Sequence, residues 1–429
     1  MRIAGLVLAA LLCTAATAPE TDLEAYFRLR QEGAAAARAN DLATAEARFE
    51  AASALFPNAP GPLIMLARIE TAAGKPDEAI ERLRQYAGLG LTYDVSADPA
   101  LAPLVGLPSF GVVAETLKAN AAPVGDPHDV AVLMPAGAVF EGLAWTGRQW
   151  LVSSVAGRTI QKVEEGALAP FLAPDPSTGG LFGMAVDRTG GVLWVAEADG
   201  PGIPGGQGER RTALLKIELS SGRILARYPV ADTDKPRQLG DVVIMDNGTV
   251  YASDGRGSAL YRLPKDGKAL EKAADLRELA SPQGMVACGS DTLVVVDYSS
   301  GLHRFDPATG RTVRVGGIPV ALAGADGLFA AGRTAGGERI VVATQNGVAP
   351  ARVLALTLDA DCGRVIKAQV MAAAHEGMDD LTLGAMSPGG VGVLVGSGWA
   401  GYDQDGKPRA GSNPLPGRLI LLPRPGDAQ

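Results

Sequence analysis

The sequence is poor in the residue types that build several common functional sites. Its 429 residues include three histidines and three cysteines, and aromatic residues make up only 5%. A site built from several histidine ligands is therefore disfavoured, and cysteines without neighbouring Cys or His do not form a zinc site. The net charge of −8, without a basic cluster interleaved with aromatics, argues against a nucleic-acid-binding surface. Gly-x-Ser-x-Gly, phosphate-loop and Cys-x-x-Cys motifs are also missing.

Long apolar runs are missing after the first twenty residues, so we expect no membrane span in the mature chain. The start of the chain differs. Arg2 precedes an apolar run at 3–12, and residues 16–18 (Ala-Thr-Ala) have the small side chains of a cleavage site. The run is about half the length that spans a bilayer, although a membrane anchor is the alternative. We predict a signal peptide at 1–18 and a periplasmic or secreted protein.

Two cysteines, Cys288 and Cys362, remain after this cleavage. They could pair in an exported chain, because such compartments permit disulfides. Two separate buried thiols are the alternative, and it is the one that the sequence alone favours.

Residues 21–120 have the composition and spacing of paired helices, being rich in Ala, Glu, Arg and Leu. The second helix of a tetratricopeptide repeat has spacings of four, three and five, which here join Ala45, Phe49, Ala52 and Pro57. The pattern recurs one 34-residue period later, from Ala79. Gly33 falls where the two helices of a repeat cross closely. We predict a tetratricopeptide-like helical domain at 21–120 and a linker at 121–129.

From residue 130 onward, short β-branched runs alternate with Gly, Asp, Asn and Pro turns. Six units begin in a related way, at Phe140, Leu181, Gly240, Pro282, Ala325 and Met378. Their spacing of roughly 40 to 60 residues fits blades of about four strands; β-sandwiches do not repeat at this spacing, and β-helices repeat faster. We predict a mostly β fold, a six-bladed β-propeller at 130–425. Strands at 130–134 and 418–422 should share one blade and close the ring.

Polar residues at the unit starts are the candidate site. The strand that follows each start should be innermost and line the central channel. Carboxylates that converge there repel one another unless protons or a cation neutralise them, and a hard divalent ion with oxygen ligands is the natural solution. On this argument Glu141, Gln283 and Asp326 form a set. Asp379 or Asp380 would face the mouth if the sixth unit keeps the same register, and a solvated loop is the alternative. The alternative is that Glu-Gly and Asp-Gly pairs only form turns.

The propeller segment resembles the family that includes gluconolactonase, regucalcin and the luciferin-regenerating enzyme. Family members hold one divalent metal with Glu, Asn and Asp from three short motifs. The matching segments here are 141–145 (Glu-Gly-Leu-Ala-Trp), 282–284 (Pro-Gln-Gly) and 325–327 (Ala-Asp-Gly). Gln283 replaces the Asn, and Gly240-Asp241 stands where the family has Asn-Asp.

The resemblance implies that Glu141, Gln283 and Asp326 hold one divalent cation. The lack of clustered His and Cys favours calcium over zinc. The activity implied is hydrolysis of a sugar lactone or related ester, with Asp326 or Asp241 as the general base.

Two other functions stay open, since propellers host many activities. A non-catalytic propeller that binds a protein, peptide or sugar is favoured by the helical repeats, which usually present a protein-binding face. A quinone-dependent sugar dehydrogenase has a similar fold, but it usually needs a catalytic His and several channel Arg residues, for which this chain has few candidates. We expect a small-molecule or protein ligand at the channel, and the repeats could bind a protein partner.

Overall fold

The computed structural model describes residues 19–231 and 236–426. The predicted signal peptide at 1–18 lies outside the described residues. Within them, no helix is long and apolar enough to cross a membrane.

The N-terminal part is helical, as predicted. Its helices are α1 (Asp22–Arg38), α2 (Leu42–Leu55), α3 (Pro60–Ala72), α4 (Pro76–Gly88) and α5 (Gly111–Asn120), with 3-10 turns at Ala102–Leu104 and Pro108–Phe110. Helix α1 begins with a capping box, because the Thr21 hydroxyl accepts from the Glu24 backbone N–H and the Glu24 carboxylate accepts from that of Thr21. A Cβ atom on Gly33 would lie 2.8 Å from the Phe49 ring, which confirms the close helix crossing.

The rest of the chain forms strands. They are β1 (His128–Leu133), β2 (Phe140–Trp145), β3 (Trp150–Ser154), β4 (Thr159–Glu164), β5 (Ala167–Leu172), β6 (Gly180–Asp187), β7 (Val192–Asp199), β8 (Arg211–Glu218), β9 (Ile224–Pro229), β10 (Leu239–Ile244), β11 (Val250–Asp254), β12 (Ala259–Leu263), β13 (Glu271–Asp275), β14 (Pro282–Ala287), β15 (Leu293–Asp297), β16 (Gly301–Asp306), β17 (Arg311–Arg314), β18 (Gly316–Gly317), β19 (Ala325–Arg333), β20 (Arg339–Gln345), β21 (Arg352–Leu358), β22 (Arg364–Ala373), β23 (Gly384–Ser387), β24 (Gly390–Val395) and β25 (Gly417–Leu422).

These strands form six sheets, which are the blades of a propeller. Blades 1 to 4 are β2–β5, β6–β9, β10–β13 and β14–β17, each in chain order from the channel outward. Blade 5 contains β19–β22, and the short strand β18 adds to its outer edge in parallel. The six-bladed fold predicted from the repeated starts is confirmed.

Blade 6 closes the ring with strands from both ends of the propeller segment. Its order is β23, β24, β25 and then β1, and β1 pairs antiparallel with β25. An ion pair between Arg418 and Asp129 spans the same junction, with 3.1 Å between Nη1 and Oδ1. The closure predicted from the two terminal strands is therefore present, and it leaves no open end in the ring.

Blades 4 and 5 are linked covalently. Cys288, just after β14, forms a disulfide with Cys362, which precedes β22. Both residues are buried. The preference for two separate thiols was wrong, because pairing depends on the packing of neighbouring blades, which residue spacing does not reveal.

The helical part packs directly on blade 5. The buried Arg352 guanidinium donates to the backbone oxygens of Leu89 (3.0 Å) and Gly90 (3.2 Å). Ala321 of the propeller belongs to the same hydrophobic cluster as the α4 and α5 side chains. Within the segment 121–129, Val124 exchanges two backbone hydrogen bonds with Ala373 of β22. These contacts tie the segment predicted as a linker to the propeller, while the domain boundaries stay a prediction.

Candidate functional site

The register of the innermost strands decides which side chains share a position. In three blades a backbone N–H near the strand start donates to a hydroxyl on the second strand. The pairs are Gly142 with Ser153 (2.8 Å), Asp241 with Ser253 (3.0 Å) and Gly327 with Thr344 (2.8 Å). The residues before them, Glu141, Gly240 and Asp326, are therefore equivalent. Asp241 stands where the other two blades have glycine.

Glu141 is one of three buried carboxyls with a raised pKa, beside Asp241 and Asp326, at the mouth of the channel where the innermost strands begin. Its side chain is buried, with 8% of the residue exposed. Burial raises its pKa well above the usual range, and the charge of Asp326 raises it further. The indole N–H of Trp399 donates to Oε2 at 2.6 Å and partly opposes this shift. Asp380 and Asp241 add smaller repulsions, so these four carboxyl groups lie close enough to affect one another.

Asp326 is held by an amide that sequence reasoning missed. Nδ2 of Asn346 donates to Asp326 Oδ2 at 3.0 Å and to the Leu381 backbone oxygen at 2.7 Å. Burial raises the pKa of Asp326 to about 7, partly opposed by Asn346 and increased by Asp380. The other amide atom, Asn346 Oδ1, is buried without a hydrogen-bond partner. An acceptor oxygen beside a carboxylate is thus left for a cation or a donor.

Gln283 is the second residue of β14 in blade 4, and its side chain extends toward blade 3. Its Nε2 donates to Ser281 Oγ at 2.7 Å. Its Oε1 lies 3.8 Å from where a Cβ atom of Gly240 would stand. The longer side chain thus extends toward the space that glycine leaves at the position equivalent to Glu141. Its role as a metal ligand stays a prediction.

Asp241 is buried between innermost strands. Its Oδ2 accepts from the Met285 N–H at 2.8 Å, and Oδ1 lies 2.6 Å from a Cβ atom built on Gly183. Burial raises its pKa to about 7; the N–H groups of Met285 and Val242 lower it, and Asp326 raises it. The carboxyl faces the neighbouring strands as well as the channel, and its role as a base stays a prediction.

Two partners of the predicted residues come from distant segments. Asn346 follows β20, and Trp399 begins a 3-10 turn after β24. The turn is held by Asp380, whose Oδ2 accepts from the Gly398 N–H at 2.9 Å, so Asp380 lies near the mouth as predicted. A sequence signal existed only for Asn346, in the polar Gln-Asn-Gly run that ends a strand.

A separate acidic cluster lies on the helical part. Among the described Asp, Glu, His and Cys residues, one group of three has ligand atoms that all lie within 4.8 Å of one another. Its members are Glu46, Glu50 and Glu70. Lys75 binds Glu46 at 2.7 Å, and Arg82 binds both Glu50 and Glu70 at 2.9 Å. The chain's own cations thus already pair with all three carboxylates. This cluster is not the set that the sequence predicted.

Comparison with known proteins gives different kinds of match for the helical part and for the propeller. Residues 36–88 match the tetratricopeptide repeat family. The repeat predicted for the helical part is therefore confirmed. No curated protein matches the chain.

Several solved propellers are similar in fold. An aldose sugar dehydrogenase from Streptomyces coelicolor in its PQQ-bound form has 15% identity and a TM-score of 0.46, over 70% of this chain and 99% of that one. The luciferin-regenerating enzyme has 13% identity and a TM-score of 0.45, over 71% and 96%. Regucalcin from Agrobacterium tumefaciens, a calcium-binding protein, has 15% identity and a TM-score of 0.45, over 69% and 94%. At these values the likeness says nothing about activity.

Proposed function

We propose that this propeller is a divalent-cation-dependent hydrolase of lactones or related esters, with its site where the innermost strands begin. The observation that carries the proposal is that Asp326 lies close enough to Glu141 for its charge to raise the pKa of Glu141, and that it does so beside the unpartnered Oδ1 of Asn346. Carboxylates that raise one another's pKa are stabilised by a bound cation. An all-oxygen set favours a hard ion such as Ca²⁺ over Zn²⁺.

The residues of the mouth have separable roles in such a reaction. Glu141 and Asp326 would hold the cation, and the amide oxygens of Asn346 and Gln283 would be further ligands. A bound divalent cation polarises an ester carbonyl and helps water to ionise. Trp399 fixes one oxygen of Glu141 through its indole N–H. Such partners of metal ligands typically change metal affinity by about 10- to 100-fold when they are removed.

Asp326 is the better of the two predicted bases. Its pKa is raised to about 7 in the cation-free site, and a bound cation would lower it, which keeps the carboxylate ionised and able to accept a proton at neutral pH. Asp241 has the same raised pKa, and each carboxyl has one oxygen in a hydrogen bond; the partner of Asp241 is the Met285 backbone N–H between strands, whereas the partner of Asp326 is Asn346, which belongs to the proposed cation site. We therefore assign proton transfer from the attacking water to Asp326.

Metal content, thermal stability and hydrolysis of the purified protein test the proposal together. Ca²⁺, Mg²⁺, Mn²⁺ and Zn²⁺ are added to chelator-treated protein, and hydrolysis of glucono-δ-lactone is followed in a pH-stat. Glu141→Gln should raise the melting temperature of the metal-free protein, because a repelling carboxylate is gone, while losing the rise with cation and the activity. The exposed Asp266→Ala change is the control. A cation response that survives in Glu141→Gln would refute the assignment.

We also propose that the chain is exported. The leader pattern at 1–18 and the Cys288–Cys362 disulfide both support this, because disulfides persist in oxidising compartments. Sequencing the N-terminus of protein recovered from the periplasm or medium should find a start near Pro19. Cytosolic protein that keeps Met1 would contradict export.

A binding scaffold is the second candidate function, and the repeat match at 36–88 favours it. Phe27 on α1 is 41% exposed and offers an apolar contact to a partner protein. Co-purification of a partner should be lost in Phe27→Asp and kept in Glu141→Gln. A partner lost only in Glu141→Gln would place binding at the propeller instead.

A further inference from the structure

Strand pairing places Tyr298 at the same position of blade 4 that Asn346 has in blade 5. The first residues of the innermost strands β14 and β19 pair with Asp297 and Gln345, respectively. The residues that follow these two partners in the chain are Tyr298 and Asn346, which are therefore equivalent. Asn346 donates to Asp326 of the proposed cation site. The equivalence indicates that Tyr298 also lies at the mouth where the innermost strands begin.

The backbone of Tyr298 is held between its own blade and the next one. Its N–H donates to the Ser281 oxygen at 3.0 Å, and its carbonyl oxygen accepts from the Gly324 N–H at 2.6 Å. The side chain extends toward blade 5, because a Cβ atom on Gly347 would lie 2.6 Å from the Tyr298 hydroxyl. Gly347 follows Asn346 in the chain, so the phenol lies over the backbone that carries the amide partner of Asp326.

The Tyr298 hydroxyl is close enough to two carboxyl groups of the mouth to be affected by their charge. Burial raises the pKa of Tyr298, and the charges of Asp326 and Asp380 raise it further. The phenol therefore stays protonated at neutral pH and keeps a proton to donate. Within the described part of the chain the hydroxyl has no hydrogen-bond partner, and 37% of the residue is exposed. A donor is thus available to a molecule that enters the mouth.

We propose that Tyr298 is a catalytic residue of this mouth, whose hydroxyl donates a hydrogen bond to the carbonyl oxygen of the lactone or ester. The inference rests on the proposed hydrolase function and adds to it a group that contacts the substrate. When water attacks the carbonyl carbon, an electron pair moves onto the carbonyl oxygen, and the phenol O–H stabilises the negative charge that develops there. Asp326 accepts the proton of the water. The ester C–O bond then breaks, and the leaving oxygen receives that proton, so Tyr298 keeps its own throughout.

Removal of the hydroxyl alone tests this role. Tyr298→Phe keeps the ring, and Tyr228→Phe, on β9 of blade 2, is the matched control. Hydrolysis of glucono-δ-lactone by the full mature chain is followed in the pH-stat with cation present. Loss of one donor to a developing oxyanion typically lowers kcat by about 100- to 1,000-fold, so kcat should fall by about 100-fold in Tyr298→Phe, with a smaller change in KM. The control should keep the wild-type kcat, and all three proteins should show the same rise in melting temperature with cation.

Binding of an unreactive analogue tests the contact without hydrolysis. Gluconolactam keeps the carbonyl group of the lactone, but its amide resists cleavage. The chain has eight tyrosines, so carbon-13 labelling at the tyrosine Cζ gives eight signals, and the signal missing from Tyr298→Phe is that of Tyr298. Gluconolactam should shift the Tyr298 signal and leave that of Tyr228 in place.

The hydrolase and the role of Tyr298 fail in different ways. A wild-type chain that neither gains stability from a cation nor hydrolyses the lactone would refute the hydrolase, and a Tyr298 shift with gluconolactam would then still support the contact. A Tyr298→Phe chain with the wild-type kcat would overturn the catalytic role of Tyr298 and leave the hydrolase intact. Loss of the cation response together with activity in Tyr298→Phe would show that the hydroxyl acts only on the structure of the site. Absence of the Tyr298 shift at millimolar gluconolactam would overturn the contact, whether or not the lactone is hydrolysed.

Discussion

Breaking the Cys288–Cys362 disulfide should lower the melting temperature of the mature chain by about 7 °C. The cross-link closes a loop with a sequence separation of 74 residues. Loop-closure entropy for that length corresponds to about 4.4 kcal/mol of stability. At ~2.1 cal/mol/K per residue, the roughly 300 residues of the propeller have an unfolding entropy of about 0.6 kcal/mol/K. Dividing the first figure by the second gives the expected shift.

Two perturbations separate the cross-link from the packing of its sulfur atoms. The Cys288→Ala/Cys362→Ala chain loses both the bond and the buried sulfurs, whereas wild type melted in a phosphine reductant loses only the bond. Circular dichroism should show a similar decrease for both, slightly larger for the double variant. Thiol titration of denatured protein from an oxidising compartment should find no free thiol. Two free thiols, or a decrease below 2 °C in both samples, would refute the reasoning.

Three further perturbations follow from other contacts. The metal-free protein should lose stability from pH 4 to 7, by at most about 4 kcal/mol for each of Asp241 and Asp326: their folded pKa of about 7 lies above the unfolded value of 3.8, so the stabilisation is complete below pH 3.8 and is lost as pH rises to 7. Urea titrations in chelator check this, and stability that rises with pH would contradict it. Gly33→Ala should destabilise the helix pair by about 1 kcal/mol, because the clash with Phe49 outweighs the gain in helix propensity; hydrogen exchange confined to α1 and α2 measures it. Arg352→Met should cost about 3 kcal/mol by unpairing buried carbonyls at the helical junction, and unchanged resistance to proteolysis there would argue against it.

The blade pattern was predictable because each unit start repeats an apolar, polar and glycine sequence. The final unit shows the limit of this rule. It was expected to begin at Met378, but β23 starts at Gly384 and has only four residues. Asp380 instead adopts a φ of +46° in the preceding loop and binds the turn at Gly398. The two-residue strand β18 consists only of glycines, so it has no side-chain pattern from which it could be predicted.

Site residues within short local motifs could be predicted from the sequence. Contacts that depend on how the blades and loops pack could not. Glu141 and Asp326 occupy equivalent strand positions, as their motifs suggested. Asp241 does not, because a shift of one residue along a strand turns a side chain to the other face. Trp399 is 258 residues from Glu141 in sequence, and their contact depends on the loop after β24 folding over the mouth.

Because β1 pairs with β25, the ring can close only after nearly the whole chain has been synthesised. Asp129 and Arg418, which meet across this pair, are 289 residues apart. At the usual elongation rate of about 5–20 residues per second, the second strand leaves the ribosome roughly 15–60 s after the first. Throughout that interval β1 is an unpaired edge, because β25, its neighbour in blade 6, has not yet been synthesised. The nascent chain therefore spends most of its synthesis as an open arc, which is the period when a chaperone has access to the unpaired strand.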